Sequence, residues 1–294
     1  MATDPTDPTD PTDPTASTVL TVAHLASVFR EQQTVVVDAS YYLAAANRDA
    51  HAEYRAEHIP GAVYFDIDGL SDSSTTLPHM LLPPDQFAAA MGRLGVGDGD
   101  RIVVYDTSGT NFSAARAWWM FRIYGHDDVA VLDGGLAAWK RAGLALESGD
   151  VIRPPATFTP RYRRELVRTL DDVRHALGNG TAQVVDARSA GRFAGTEPEP
   201  RAGLRGGHMP ESRNLPYASF TGPDGLLLAR AALEARFREA GVDLSEPVIA
   251  SCGSGVTACT ILLALDLLGH KDHSLYDGSW TEWGGRQDTA IETG

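Results

Sequence analysis

Apolar residues recur along this chain in two rhythms. The runs TVVVDA, AVYFDI, IVVYD and VAVLDGG are short, β-branched and of strand length. Between them FAAAMGRLG and SAARAWWMFRIYG carry helical spacing and stop at glycine. Strand–helix alternation of this kind predicts an α/β fold, a largely parallel sheet flanked by helices on both faces.

The same order of elements then returns. TVVVDAS, EHIPGAVYFDI, RIVVYDTSG and RIYGHDDVAVLDGGLAAWKRAG in the first half answer to AQVVDAR, GGHMPESRNLP, PVIASCGSG and DLLGHKDHSLYDGSWTEWGGR in the second. Asp186 lies 148 residues after Asp38, His208 lies 150 after His58, and Cys252 lies 146 after Asp106. Landmarks in one order at a near-fixed offset mean two tandem copies of one fold, each of about 130 residues. The expected division is 17–148 for the first copy, 149–166 for a linker and 167–294 for the second. The linker, SGDVIRPPATFTPRYRR, is rich in proline and arginine and lacks periodicity. Residues 1–16 hold a TDP repeat with no large apolar side chain, and are expected to be a disordered tail without a catalytic role.

Charge and cysteine content narrow the function. A net charge of -14 argues against nucleic acid or anionic membrane as partners. No apolar run approaches a membrane span, and the N-terminus is polar and acidic rather than that of a signal peptide. Two cysteines cannot build a disulfide framework or a four-thiolate zinc site, so a reducing, cytoplasmic setting is expected.

The sharpest chemical feature is PVIASCGSGVTACTILLALDLLGH. VIAS reads as a buried strand and TACTILLALDLLG as an apolar helix, with Cys252 and GSGVT between them. Gly253 and Gly255 let successive amides turn inward, and a helix N-terminus adds partial positive charge. Both favour a thiolate over a thiol. Cys259, inside the helix, reads as a small core residue. The first copy has Asp106 in place of Cys252; an aspartate cannot carry sulfur, so one active site is expected.

With these residues in view, the chain resembles the two-domain rhodanese-type sulfurtransferases over roughly residues 17–285. The resemblance rests on the tandem copies, the H-[IM]-P turns at His58 and His208, and the CGSGVT loop. It implies two rhodanese-like domains, each a five-stranded parallel sheet between helices. Within the family the Cys-Gly-Ser-Gly-Val-Thr loop is similar to that of the 3-mercaptopyruvate sulfurtransferases, whereas thiosulfate-preferring members tend to have Cys-Arg-Lys-Gly-Val-Thr. Neutral Gly253 and Ser254 suit a monoanionic keto-acid thiol better than a compact dianion. Such a substrate needs a carboxylate clamp, and the stretch from Arg188 to Arg213 holds five arginines against three glutamates.

The resemblance further implies residue roles. Arg192 and Arg201 match the family's carboxylate- and carbonyl-binding arginines. Arg188 joins them as a substrate-binding candidate, with a loop-holding salt bridge as its competing role. Gly253, Gly255, Val256 and Thr257 form the anion loop. Ser254, His79 in PHML and Asp68 in FDID match a Ser–His–Asp proton relay around Cys252. The GHMPES turn departs from the family pattern at Glu211 and Ser212. The implied reaction passes sulfur from 3-mercaptopyruvate through a Cys252 persulfide to a thiol, a thioredoxin-like acceptor or cyanide. No metal or organic cofactor is needed, and a monomer suffices. A thiosulfate sulfurtransferase is the nearest alternative. A cysteine phosphatase would need a loop arginine where Thr257 and Ala258 stand. A non-catalytic module would not need the cysteine and its arginines.

Overall fold

The computed structural model describes residues 18–31, 33–43 and 46–294; the TDP-repeat segment 1–16 lies outside the described residues. The chain forms two compact units. One comprises the described residues up to Leu70 together with 82–163 and 221–230; the other comprises 71–81, 164–220 and 231–294.

In the first unit, β1 (Val19–Leu20), β2 (Thr34–Asp38), β3 (Val63–Tyr64), β4 (Arg101–Tyr105) and β5 (Val129–Leu132) make a five-stranded sheet of order β1-β5-β4-β2-β3. Every pairing is parallel. Alternation sends Val36, Val103, Tyr105 and Leu132 to one face, against Leu25 of α1 (Val22–Val28) and Leu136 and Trp139 of α5 (Gly135–Arg141). On the other face, α4 (Phe112–Ile123) packs on β4 and β5. There Phe121 joins Phe87 of α3 (Pro84–Leu94) in an aromatic cluster with Phe65 and Phe158. A sheet covered on both faces explains why its strands read as unbroken apolar runs.

The second unit repeats the plan. Its strands β6 (Val167–Arg168), β7 (Gln183–Asp186), β8 (Arg213–Asn214), β9 (Val248–Ser251) and β10 (His273–Tyr276) are ordered β6-β10-β9-β7-β8, again all parallel. One face packs Val184, Ile249 and Tyr276 on Leu170 and Val173 of α6 (Leu170–Asn179) and on Trp280 and Trp283 of α10 (Ser279–Trp283). The other face carries α9 (Cys259–Leu267), buried along its length. Thr169 and Asp172 form a capping box that starts α6.

Two features depart from a chain cut into contiguous copies. The polar stretch SDSSTTLPHML, 71–81, groups with the second unit, and 221–230 groups with the first. Each is a small antiparallel turn, bridged at Ser71–Leu81 and at Thr221–Leu227. Asp277 accepts the Leu81 N–H at 2.9 Å, and Asp133 accepts the Leu227 N–H at 2.8 Å. The segment expected as a linker is also structural. Ala156 donates its N–H to Gly92 O, and Arg161 and Arg163 donate theirs to Tyr124 O and Ile123 O. A Cβ at Gly92 would lie 2.7 Å from Ala156 O, so a glycine is required where this segment crosses α3.

Candidate active site

The pairing Asp186–Ser251 ends β7 and β9 together, so the loops after both strands leave the same edge of the sheet. Loops at the carboxyl ends of parallel strands are where α/β folds build sites. Cys252 is the next residue, and it is 1% exposed. Its N–H donates to Ser279 Oγ at 3.1 Å, and its carbonyl accepts the Trp280 N–H at 2.9 Å. Thr281 binds the next carbonyl, Gly253 O, through both its N–H and its hydroxyl. The loop after β10 therefore fastens the cysteine's backbone. Ser279 does so at φ +48, a left-handed conformation that costs a non-glycine residue.

Past Cys252 the chain stays enclosed. Ser254, Val256 and Thr257 are buried, and Gly255 turns at φ +77 before α9 begins. The Cys259 thiol donates to Gly255 O at 3.4 Å, which makes it part of the loop's support. The 71–81 turn delivers His79, at φ +59 and largely buried, with Nδ1 2.8 Å from Ser254 Oγ. Asp68 belongs to the first unit, where it is exposed and lines a cleft of about 540 Å³ with Tyr41, Tyr64 and Asp66.

The arginines separate into different environments. Arg188 has no exposed side-chain surface. It pairs with Asp186 at 2.6 Å and Glu199 at 2.7 Å, donates to Gly207 O at 2.8 Å, and lies 4.1 Å over the Trp280 ring. Burial opposes its charge, but Asp186 and Glu199 outweigh that and hold its pKa above the ordinary arginine value. These partners tie Arg188 to the end of β7, to Glu199 and to the Gly207 loop. Arg192 sits in the short helix α7 (Ala190–Ala194), capped by Ser189, with its side chain 21% exposed. Its guanidinium grips Glu199 and lies against the cysteine loop, with Nη2 3.1 Å from where a Cβ on Gly253 would stand. Arg201 is half-exposed and makes no hydrogen bond or ion pair to a described residue.

Sequence reasoning passed over Glu199, Ser279, Thr281 and Tyr217. Burial pushes the Tyr217 phenol above its ordinary pKa, and the Arg192 cation draws it down, so the ring lies close to the arginine. The 144-residue offset that aligns GH with GH also aligns LDGG with YDGS, and it would have drawn attention to Ser279. Nothing in the sequence marks which glutamate Arg192 grips.

A geometry of this kind fits what known proteins show. The Rhodanese-like domain family matches residues 21–142 and 169–286. The chain is 43% identical over 285 residues to thiosulfate/3-mercaptopyruvate sulfurtransferase 1, mitochondrial, of Arabidopsis thaliana, covering 90% of this chain and 75% of that protein. It is 46% identical over 253 residues to the 3-mercaptopyruvate sulfurtransferase of Homo sapiens, covering 86% of this chain and 85% of the relative. The crystal structure of SseA from Escherichia coli, described among the 3-mercaptopyruvate sulfotransferases, superposes with a TM-score of 0.83 at 42% identity, covering 90% of this chain and 98% of that one. Two parallel sheets of one strand order, two matched domains and relatives alike across most of their length make this chain a member of the two-domain rhodanese-type sulfurtransferases.

Proposed function

We propose that Cys252 carries sulfane sulfur from 3-mercaptopyruvate to a thiol acceptor. The observation that carries this reading is the Arg192 guanidinium held against Gly253, one residue from the cysteine. Beside a neutral loop, one such fork suits a donor with a single carboxylate. The Cys252 thiolate attacks the donor sulfur, a new S–S bond forms and the C–S bond breaks. The carbon fragment leaves as the enolate of pyruvate, with Arg192 and Arg201 on its carboxylate and carbonyl. His79 supplies a proton through the Ser254 hydroxyl. An acceptor thiolate then takes the outer sulfur and restores Cys252.

The acceptor is a small thiol or a thioredoxin-like dithiol, and cyanide serves in an assay. The two free cysteines suit a reducing, cytoplasmic setting. Among the described residues no helix is long and apolar enough to cross a membrane. Mass spectrometry after exposure to 3-mercaptopyruvate is expected to find one added sulfur on the Cys252 peptide, and none in Cys252→Ser. Sulfur transfer retained by that variant overturns the reading. The Arabidopsis relative is named for thiosulfate as well. For this chain kcat/KM is expected to favour 3-mercaptopyruvate, since Gly253 and Ser254 bring no cation to a dianion.

A further inference from the structure

We infer that Glu199 is a positioning residue that sets the Arg192 fork for the donor's carboxylate; this rests on the reading of Arg192 above. The Glu199 side chain is 1% exposed, so its carboxylate is buried. One oxygen accepts from Arg188 Nη1 at 2.7 Å and the other from Arg192 Nη2 at 2.6 Å. Arg192 Nε adds a longer bond at 3.3 Å. Arg188 is itself held by Asp186, Gly207 O and the Trp280 ring. The result is a line of ion pairs, Asp186–Arg188–Glu199–Arg192, that starts at the end of β7 in the core and finishes at the cysteine loop.

The line explains two otherwise costly features. A fully buried arginine is tolerated because two carboxylates satisfy it. A buried glutamate is tolerated because two guanidinium groups do the same. Its outcome is a side chain fixed on one edge and open on the other. Glu199 occupies the Nε–Nη2 side of Arg192, and Nη1 and the remaining Nη2 hydrogen face away from it. An arginine on a five-residue helix would otherwise sample many rotamers, and ordering it on each binding event would weaken affinity. Glu199 removes that cost before the donor arrives.

Position and charge can be separated by two variants. Glu199→Asp keeps the charge and withdraws the carboxylate by one methylene. Glu199→Gln keeps the length and removes the charge. If Glu199 positions Arg192, both raise KM for 3-mercaptopyruvate by about tenfold, with kcat within about twofold. If instead Glu199 only dampens the positive charge of Arg192, Glu199→Gln lowers KM. That result, or an unchanged KM in both variants, overturns the inference.

A purely structural role is separated by a double-mutant cycle. In an Arg192→Ala background, Glu199→Gln is expected to add less than about twofold to KM, because the group it positions is gone. Full additivity overturns the inference. The wild-type protein is run alongside. If it fails to gain sulfur on Cys252, the proposed function fails. If it gains sulfur and the Glu199 variants match it in KM, only the positioning role fails.

Discussion

Asp106 in the first unit and Cys252 in the second stand at the same point of the same fold. Each follows a strand whose last residue is paired with an aspartate, Tyr105 with Asp38 and Ser251 with Asp186. Each passes its carbonyl to the second residue of the following GG or GS pair's helix, Leu136 or Trp280. The third loop residue on is a glycine at nearly equal φ, +76 at Gly109 and +77 at Gly255. The first unit fills its loop with its own anion. The Asp106 carboxylate accepts from the N–H groups of Ser108, Ser113 and Ala114 and from the hydroxyls of Ser108 and Ser113. Those amides and hydroxyls are thereby already taken.

Around that exchange the other differences line up. Ser40 stands where Arg188 stands, Gly225 where His79 does, and Gly135 where Ser279 does. The last two pairs share left-handed backbone: +77 against +59, and +53 against +48. The first unit puts glycine where glycine is comfortable. The second unit puts a histidine and a serine there and accepts the strain.

The largest test of that contrast is His79→Gly. On the proposed proton relay, losing His79 is expected to lower kcat by about a hundredfold. The thermal midpoint should stay within about 2 °C of wild type or rise, because the backbone strain is relieved. A large fall in the midpoint would mean that the imidazole holds the turn together rather than serving the chemistry. Asp106→Ala comes next, and it acts on the first unit. It leaves buried amides and hydroxyls without their acceptor, at about 3 kcal/mol. The expected reading is a midpoint lowered by about 5–10 °C, with kcat per folded molecule unchanged.

Gly253→Ala is a finer probe of the active unit. The added methyl would stand 3.1 Å from Arg192 Nη2, too close unless the guanidinium yields by a few tenths of an ångström. A clamp already gripped by Glu199 yields poorly. KM for 3-mercaptopyruvate is expected to rise about fivefold, with alkylation of Cys252 by neutral iodoacetamide unchanged. Equal slowing of both would place the damage in the loop itself.

The same contrast shows what could be read in advance. Strand runs, helix stops and the fixed offset between copies are repeated local signals, and they gave the tandem α/β architecture that the strand order displays. The position of Cys252 was legible because VIAS reads as a strand run and TACTILLALDLLG as an apolar helix, and the residue does follow β9. Arg188 was not separable from Arg192, because a buried and an exposed arginine look alike until their partners are known. Glu199 counted only as charge for the same reason. The exchange of 71–81 and 221–230 between units left no pattern, since SDSSTTLPHML is a polar turn without periodicity, and its anchors are single backbone N–H groups on Asp277 and Asp133.

Asp133 offers the smallest and most specific test, because it probes one of those anchors through pH. Burial pushes its carboxyl up to about 6, while the Leu227 N–H pulls it down and Asp224 adds to the rise. An acid with a raised folded-state pKa binds its proton more tightly when folded. Its contribution to stability is therefore complete below the unfolded value near 4 and is lost as pH rises through about 6. At pH 8 the folded unit holds a buried carboxylate at a cost that Asp133→Asn removes, while the amide oxygen still accepts from Leu227. The variant is expected to be more stable by on the order of 1 kcal/mol at pH 8 and no more stable than wild type at pH 4. Denaturant unfolding at the two pH values reads the difference. A gain at both would mean that the amide makes a new bond, and a loss at pH 8 would mean that the charge itself holds the 221–227 turn.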